Sequence, residues 1–269
     1  MHLKAYFARI GYDGTPAADL ETLRALSHLH PRAIPFENLD VQLKRPVSMA
    51  PEAVFDKLVT RRRGGWCYEM NGLLGWALGE IGFDVRRVEG GVMREVRGDE
   101  AFGNHLCLAV RLDGRDYLVD VGFGGSQTAP MVIARGSDAQ VPFDLELVPL
   151  ENGYWRMVQY TLGKPFSFDF HPDRCDEALL ADKCIWQQSN PESVFVQNLV
   201  AQKRTGDAHL TLRGRVFTRL ESGAEETRLL QSGAELVDVL SDEFGIHEPE
   251  AEALWPAICA RHEALFPQA

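Results

Sequence analysis

Glycines bracket one segment of this chain and leave a helix as its natural fold. Gly64-Gly65 makes a turn before it, and Gly82 supplies a stop after it. Between them Met70, Leu73, Leu74, Ala77, Leu78 and Ile81 recur at the spacing of one helical face. Cys67 therefore falls in the first turn, where unpaired amides and the positive end of the helix dipole favour a thiolate. Arg61, Arg62 and Arg63 precede it and add to that bias. A cysteine taken alone is more often a small buried apolar residue than a nucleophile. The reading thus needs a partner elsewhere in the chain.

Residues 105–112 and 115–121 supply one. Both runs read as strands, and the Asp113-Gly114 pair between them is a strong hairpin signal. If those two residues are the turn, Leu112 pairs with Arg115, Cys107 faces Asp120 and His105 faces Gly122. His105 and Asp120 then become diagonal neighbours on one face, within reach of each other. A carboxylate beside an imidazole fixes its tautomer and steadies its charged form, which is what a catalytic base needs. Cys67, His105 and Asp120 in that chain order also occur in papain-like cysteine enzymes. Each residue has a plain structural explanation by itself; together they form a nucleophile, a base and an orienter.

Composition narrows the class. The chain has 269 residues, enough to bury a large core in two or three subdivisions. No apolar run reaches the length of a membrane-spanning helix. Met1 to Tyr6 has no apolar stretch of signal-peptide type. The net charge of −11, with no basic stripe to offset it, argues against nucleic acid as a partner. An anionic cofactor must then find a local positive patch, for which the run 61–63 is a candidate, with Arg63 expected to face inward. The five cysteines cannot all pair and show no CxxC spacing, so reduced thiols in the cytoplasm and no structural metal are expected.

The pattern changes along the chain. From 16 to 82 it is helical, with Leu20, Leu23 and Leu26 in one segment and Pro51 opening Val54-Phe55-Leu58. From 83 to about 190 strand signals dominate: Val85 to Met93, the hairpin, Met131 to Ile133, Phe143 to Val148 and Tyr154 to Tyr160. Beyond Asn190-Pro191 a helix near Glu192–Val200, strands around His209–Thr218 and two acidic helices are expected.

The chain resembles the arylamine N-acetyltransferases. The residues that carry the likeness are Arg63-Gly64-Gly65-Trp66-Cys67, Asn104-His105 and Val119-Asp120-Val121-Gly122-Phe123-Gly124. Tyr6 to Tyr12, Ile34 to Leu39 and Pro191 to Phe195 extend it. The likeness is dense over about the first 125 residues and thin beyond, and the Arg-Gly-Gly-Trp-Cys block is its most specific part.

The resemblance implies an α+β fold with a papain-like cysteine-enzyme core. A helical domain (1–82) would carry the nucleophile, a β-barrel domain (83–190) the His and Asp, and an α/β lid would close the chain (191–269). It also implies transfer of an acetyl group from acetyl-CoA through Cys67 to aromatic amines or hydrazines, without a metal. His105 would be the base and Asp120 its orienter. Phe36, Phe123 and Phe195 match positions lining the acceptor pocket, and Arg9, Glu37 and Arg63 match a supporting polar network. Gly124 and Gly125 lie in a glycine loop whose amides are candidates to approach CoA, although the loop lacks P-loop spacing. Turning the chain beneath the active site is its other role. An amide synthase using a carrier-bound acyl thioester, a cysteine hydrolase or transglutaminase-like enzyme, and a binding protein that kept the fold share these features.

Overall fold

The computed structural model describes residues 1–267. Asp19 accepts the Thr22 amide at 2.8 Å and so opens the helix Leu20–Ala33, whose Leu23 and Leu26 turn inward. Leu3–Ile10, Pro51–Phe55 and its π-helical continuation Asp56–Thr60 pack around the same core. The segment bracketed by glycines is a helix from Cys67 to Ile81, ended by Gly82 in the left-handed conformation (φ 105°). Leu73, Leu74, Ala77 and Leu78 on this helix meet Leu108, Val110, Tyr117 and Val119 of the hairpin. Burying each large aliphatic side chain contributes about 1.5–3 kcal/mol. The helix that starts at Cys67 is thereby fixed against the strands that carry His105.

The hairpin has the expected register. Phe102–Leu112 and Arg115–Val119 are antiparallel, with Leu112 opposite Arg115 and Leu108 opposite Val119. Asp113 and Gly114 both have positive φ (49° and 74°), as a two-residue turn joining twisted strands requires. Around this hairpin an antiparallel sheet of eight strands curls into a nearly closed barrel. In spatial order its strands are Met131–Val132, Arg115–Val119, Phe102–Leu112, Asp84–Val92, Lys164–Phe170, Trp155–Thr161, Phe143–Pro149 and Gly136–Gln140. Val88, Leu118, Leu145, Met157, Phe168 and Phe170 fill its interior.

A second antiparallel sheet joins Phe36–Glu37 to Val200–Thr205, Ala208–Arg213, Val216–Glu221 and Ala224–Leu229. Its core includes Leu210, Leu212, Leu236, Leu240 and Ile258, the last three from the helices Gly233–Asp242 and Trp255–Leu265. Phe36–Glu37 comes from the N-terminal helical region, so that region contributes an edge strand to the C-terminal sheet. Among the described residues, no helix is long and apolar enough to cross a membrane.

Two segments differ from the sequence reading. The helix expected near Glu192–Val200 is a single turn, Val194–Gln197. Asn38 captures the carbonyls of Phe195 and Asn198 (both 2.8 Å) and accepts the Val200 amide at 2.8 Å, which steers the chain into a strand. A helix at Glu177–Ser189 lies inside the stretch read as strands. Its buried stripe is only Leu180, Cys184 and Gln187, while Ile185 and Trp186 are exposed, so its apolar periodicity is faint.

Candidate active site

Three elements converge on Cys67. The helix supplies the thiol, the hairpin supplies His105 and Asp120, and the loop after the hairpin lies against the helix start. Gly122 in that loop is there because nothing larger fits: a Cβ would lie 2.7 Å from the Cys67 Cα and 2.5 Å from the Asn71 Nδ2. All three site residues are buried, with Cys67 3%, His105 2% and Asp120 1% exposed.

Asp120 accepts a hydrogen bond from His105 Nε2 at 2.7 Å on one carboxylate oxygen. Its other oxygen accepts from Asn71 Nδ2 and from the Gly122 amide, both at 2.8 Å. Asn71 also donates to the Leu106 carbonyl at 2.6 Å and accepts the Val121 amide at 3.0 Å. One fully buried amide thus ties the Cys67 helix to both sides of the hairpin. With Nε2 engaged by Asp120, Nδ1 is the ring nitrogen left for proton exchange. Burial opposes a charged imidazole, but the charge and hydrogen bond of Asp120 outweigh it, with Cys67 adding to the rise. The His105 pKa is pushed up to about 10. The Asp120 carboxylate thus favours the protonated imidazole at neutral pH.

On its other side the same helix turn rests on buried charge. Glu69 accepts the Trp66 amide at 3.2 Å and Lys57 Nζ at 2.9 and 3.0 Å. Lys57 reaches Asp40 at 2.8 Å, and Arg63 pairs with Glu37 at 2.9 Å and with Asp40 and Glu248. Arg45 closes the cluster onto Glu248 at 2.6 Å. Burial raises the Glu69 pKa, and Lys57 pulls against that rise. Arg9, which the family likeness placed in a supporting polar network, makes no ion pair with these carboxylates and joins them through the Arg63 backbone. Its guanidinium instead donates to the carbonyls of Leu58, Ala33 and Arg63 at 2.9, 2.6 and 3.4 Å. Arg63 does face inward, whereas Arg61 pairs with Asp56 on the surface.

The three expected phenylalanines fall into two groups, one beside Cys67 and one beside His105. Phe36 packs in one apolar cluster with Cys67, Trp66 and Tyr68, with Phe195 against it. Phe195 meets Trp66 edge-on at 5.3 Å and Phe36 at 6.2 Å. Phe123 lies on the barrel side, edge-on to His105 at 5.4 Å. Gly124 and Gly125 follow it with positive φ, packed against Gln202 and Arg204, and the Gly124 carbonyl accepts from His209 Nε2 at 2.7 Å.

Sequence reasoning missed Asn71, Lys57, Asp40 and Glu248. Asn71 carried a signal, being a polar residue one helical turn beyond Cys67 among apolar positions. Lys57, Asp40 and Glu248 carried none, because their partners are distant in the chain.

This geometry has close relatives. A family profile described as N-acetyltransferase matches residues 19–252. The arylamine N-acetyltransferase of Mycolicibacterium smegmatis is 41% identical, over 91% of this chain and 92% of its own length. The solved arylamine N-acetyltransferase of M. tuberculosis superposes with a TM-score of 0.87 at 34% identity, covering 97% of this chain and 100% of that one. The Mycobacterium marinum enzyme, solved in complex with CoA, gives a TM-score of 0.86 at 34% identity, covering 97% and 98%. With these matches spanning helices, barrel and C-terminal sheet alike, the chain belongs to the arylamine N-acetyltransferase family.

Proposed function

We propose that this chain transfers an acetyl group from acetyl-CoA to aromatic amines or hydrazines in two steps, with Cys67 as the acyl carrier. The observation that carries the reading is the His105 ring, held at Nε2 by Asp120 at 2.7 Å on the hairpin that packs against the Cys67 helix. In the first step the Cys67 sulfur attacks the acetyl carbonyl. The carbon–sulfur bond to CoA breaks, and His105 hands its proton to the departing thiolate. Having given up that proton, His105 is left as a neutral base. In the second step the amine nitrogen attacks acetyl-Cys67, its proton passes to His105 and the sulfur is released. The first amides of the Cys67 helix, which have no partner within the helix, are the oxyanion donors nearest this carbon.

Phe36, Phe123 and Phe195 are the acceptor contacts in this reading, supported by their packing around Cys67 and His105. Burial of the site limits water, the competing acceptor. The CoA carried by the M. marinum relative supports CoA over a carrier protein as the donor. Gly124 and Gly125 are our candidates for its approach, on the strength of their place directly after Phe123. All five cysteines are free thiols, which suits the reducing cytoplasm.

Intact-protein mass spectrometry tests the scheme. Mixed with acetyl-CoA and no amine, the protein should gain one acetyl group on Cys67, and an arylamine should discharge it. Cys67→Ser should lose both the adduct and turnover. Turnover without an adduct would exclude the two-step route. A free, reactive thiol that ignores acetyl-CoA would point to a carrier-bound donor or to hydrolysis.

A further inference from the structure

Phe166 combines two properties that conflict unless it lies at an opening. Side chains alternate along a strand, so Phe166, Phe168 and Phe170 of Lys164–Phe170 project from one face. Phe168 and Phe170 are fully buried in the barrel interior, yet Phe166 is 43% exposed. An inward-pointing residue that meets solvent lines a mouth.

What lies beneath this mouth is the catalytic base. The Phe166 ring is parallel to that of Phe123, with 5.1 Å between centroids and 7° between planes, an offset stack. Phe123 in turn stands edge-on to His105 at 5.4 Å and to Phe168 at 5.0 Å. A slab of two parallel rings therefore runs outward from His105. Phe36 and Phe195 pack with Trp66 and take no part in it.

We propose that Phe166 is a specificity-determining residue: its free face stacks on the outer part of the acceptor's aromatic system and favours amines with more than one ring. This rests on the reading of Cys67 as acyl carrier and Phe123 as an acceptor contact. A single-ring amine held over Cys67 is served by the inner phenylalanines alone. A fused-ring or biaryl amine extends past Phe123 and covers the apolar surface that Phe166 otherwise shows to water.

The test compares toluidine with aminofluorene in the wild type, Phe166→Leu and Phe166→Trp. Leucine keeps an apolar side chain and removes the ring. For Phe166→Leu the aminofluorene KM should rise about three- to tenfold, while toluidine changes by less than about twofold. The rate of Cys67 acetylation by acetyl-CoA alone should not move, and Phe166→Trp should retain the preference for aminofluorene. Equal losses for both amines, slowed acetylation, or an unchanged aminofluorene KM would each overturn the proposal. Calorimetric binding of the two amines without donor keeps the test independent of the chemistry. If no acetyl-enzyme forms, the Cys67 reading fails, while ring-dependent binding still decides the role of Phe166.

Discussion

Two polar assemblies flank the first turn of the helix Cys67–Ile81, and they are built on opposite plans. On the hairpin side a single carboxylate, Asp120, is surrounded by an imidazole, a side-chain amide and a backbone amide. On the other side Lys57, Arg63 and Arg45 interleave with Glu37, Asp40, Glu69 and Glu248. One carboxylate and one titratable imidazole hold the first assembly, so one proton can move within it. Fixed charges hold the second, where a proton shift would leave an ion unpaired. The first is suited to chemistry and the second to keeping the helix start in place.

That contrast can be broken by mutation. Asp120→Asn preserves shape but removes the charge that orients and protonates His105. Turnover should fall about a thousandfold or more, in a protein that still folds. Near-wild-type turnover in a folded Asp120→Asn protein would remove the orienter role. Lys57→Met should chiefly cost stability, about 3–5 kcal/mol, because Glu69 is left buried without its cation and Asp40 keeps only its longer contacts to Arg63 and Arg45. Urea denaturation reads this directly, and a loss under about 1 kcal/mol would mean that the cluster tolerates an unpaired carboxylate.

The third effect is in pH. The folded pKa of His105 lies above that of an ordinary histidine, 6.5, at about 10. Its stabilising contribution is therefore complete below pH 6.5 and is lost as pH rises towards 10. The stability gap between wild type and His105→Gln should narrow across that window, by at most about 1.4 kcal/mol per pH unit. A gap that stays constant from pH 6.5 to 10 would place the His105 proton elsewhere.

The hairpin side was legible in advance and the charged side largely was not. Asp113-Gly114 set the turn, the turn set the register, and the register put His105 beside Asp120. Each step spans only a few residues. Glu69 could be seen as a residue of the helix start, but Lys57 reaches both Glu69 and Asp40. Glu248 meets Arg63 across 185 positions of sequence. No periodicity encodes such a pairing. The helix Glu177–Ser189 escaped for a related reason, since a narrow buried stripe leaves too few apolar positions to count.

By itself the sequence determined the local geometry: where the Cys67 helix begins, where Gly82 ends it, and which residues of the hairpin face one another. Turn dihedrals and side-chain periodicity are short-range properties, and a handful of residues fix them. Only the tertiary structure decided that Asn71 ties the helix to the hairpin, that Arg9 serves backbone carbonyls, and that Phe166 stands inward yet open to solvent. Those depend on which distant surfaces meet and how completely they exclude water.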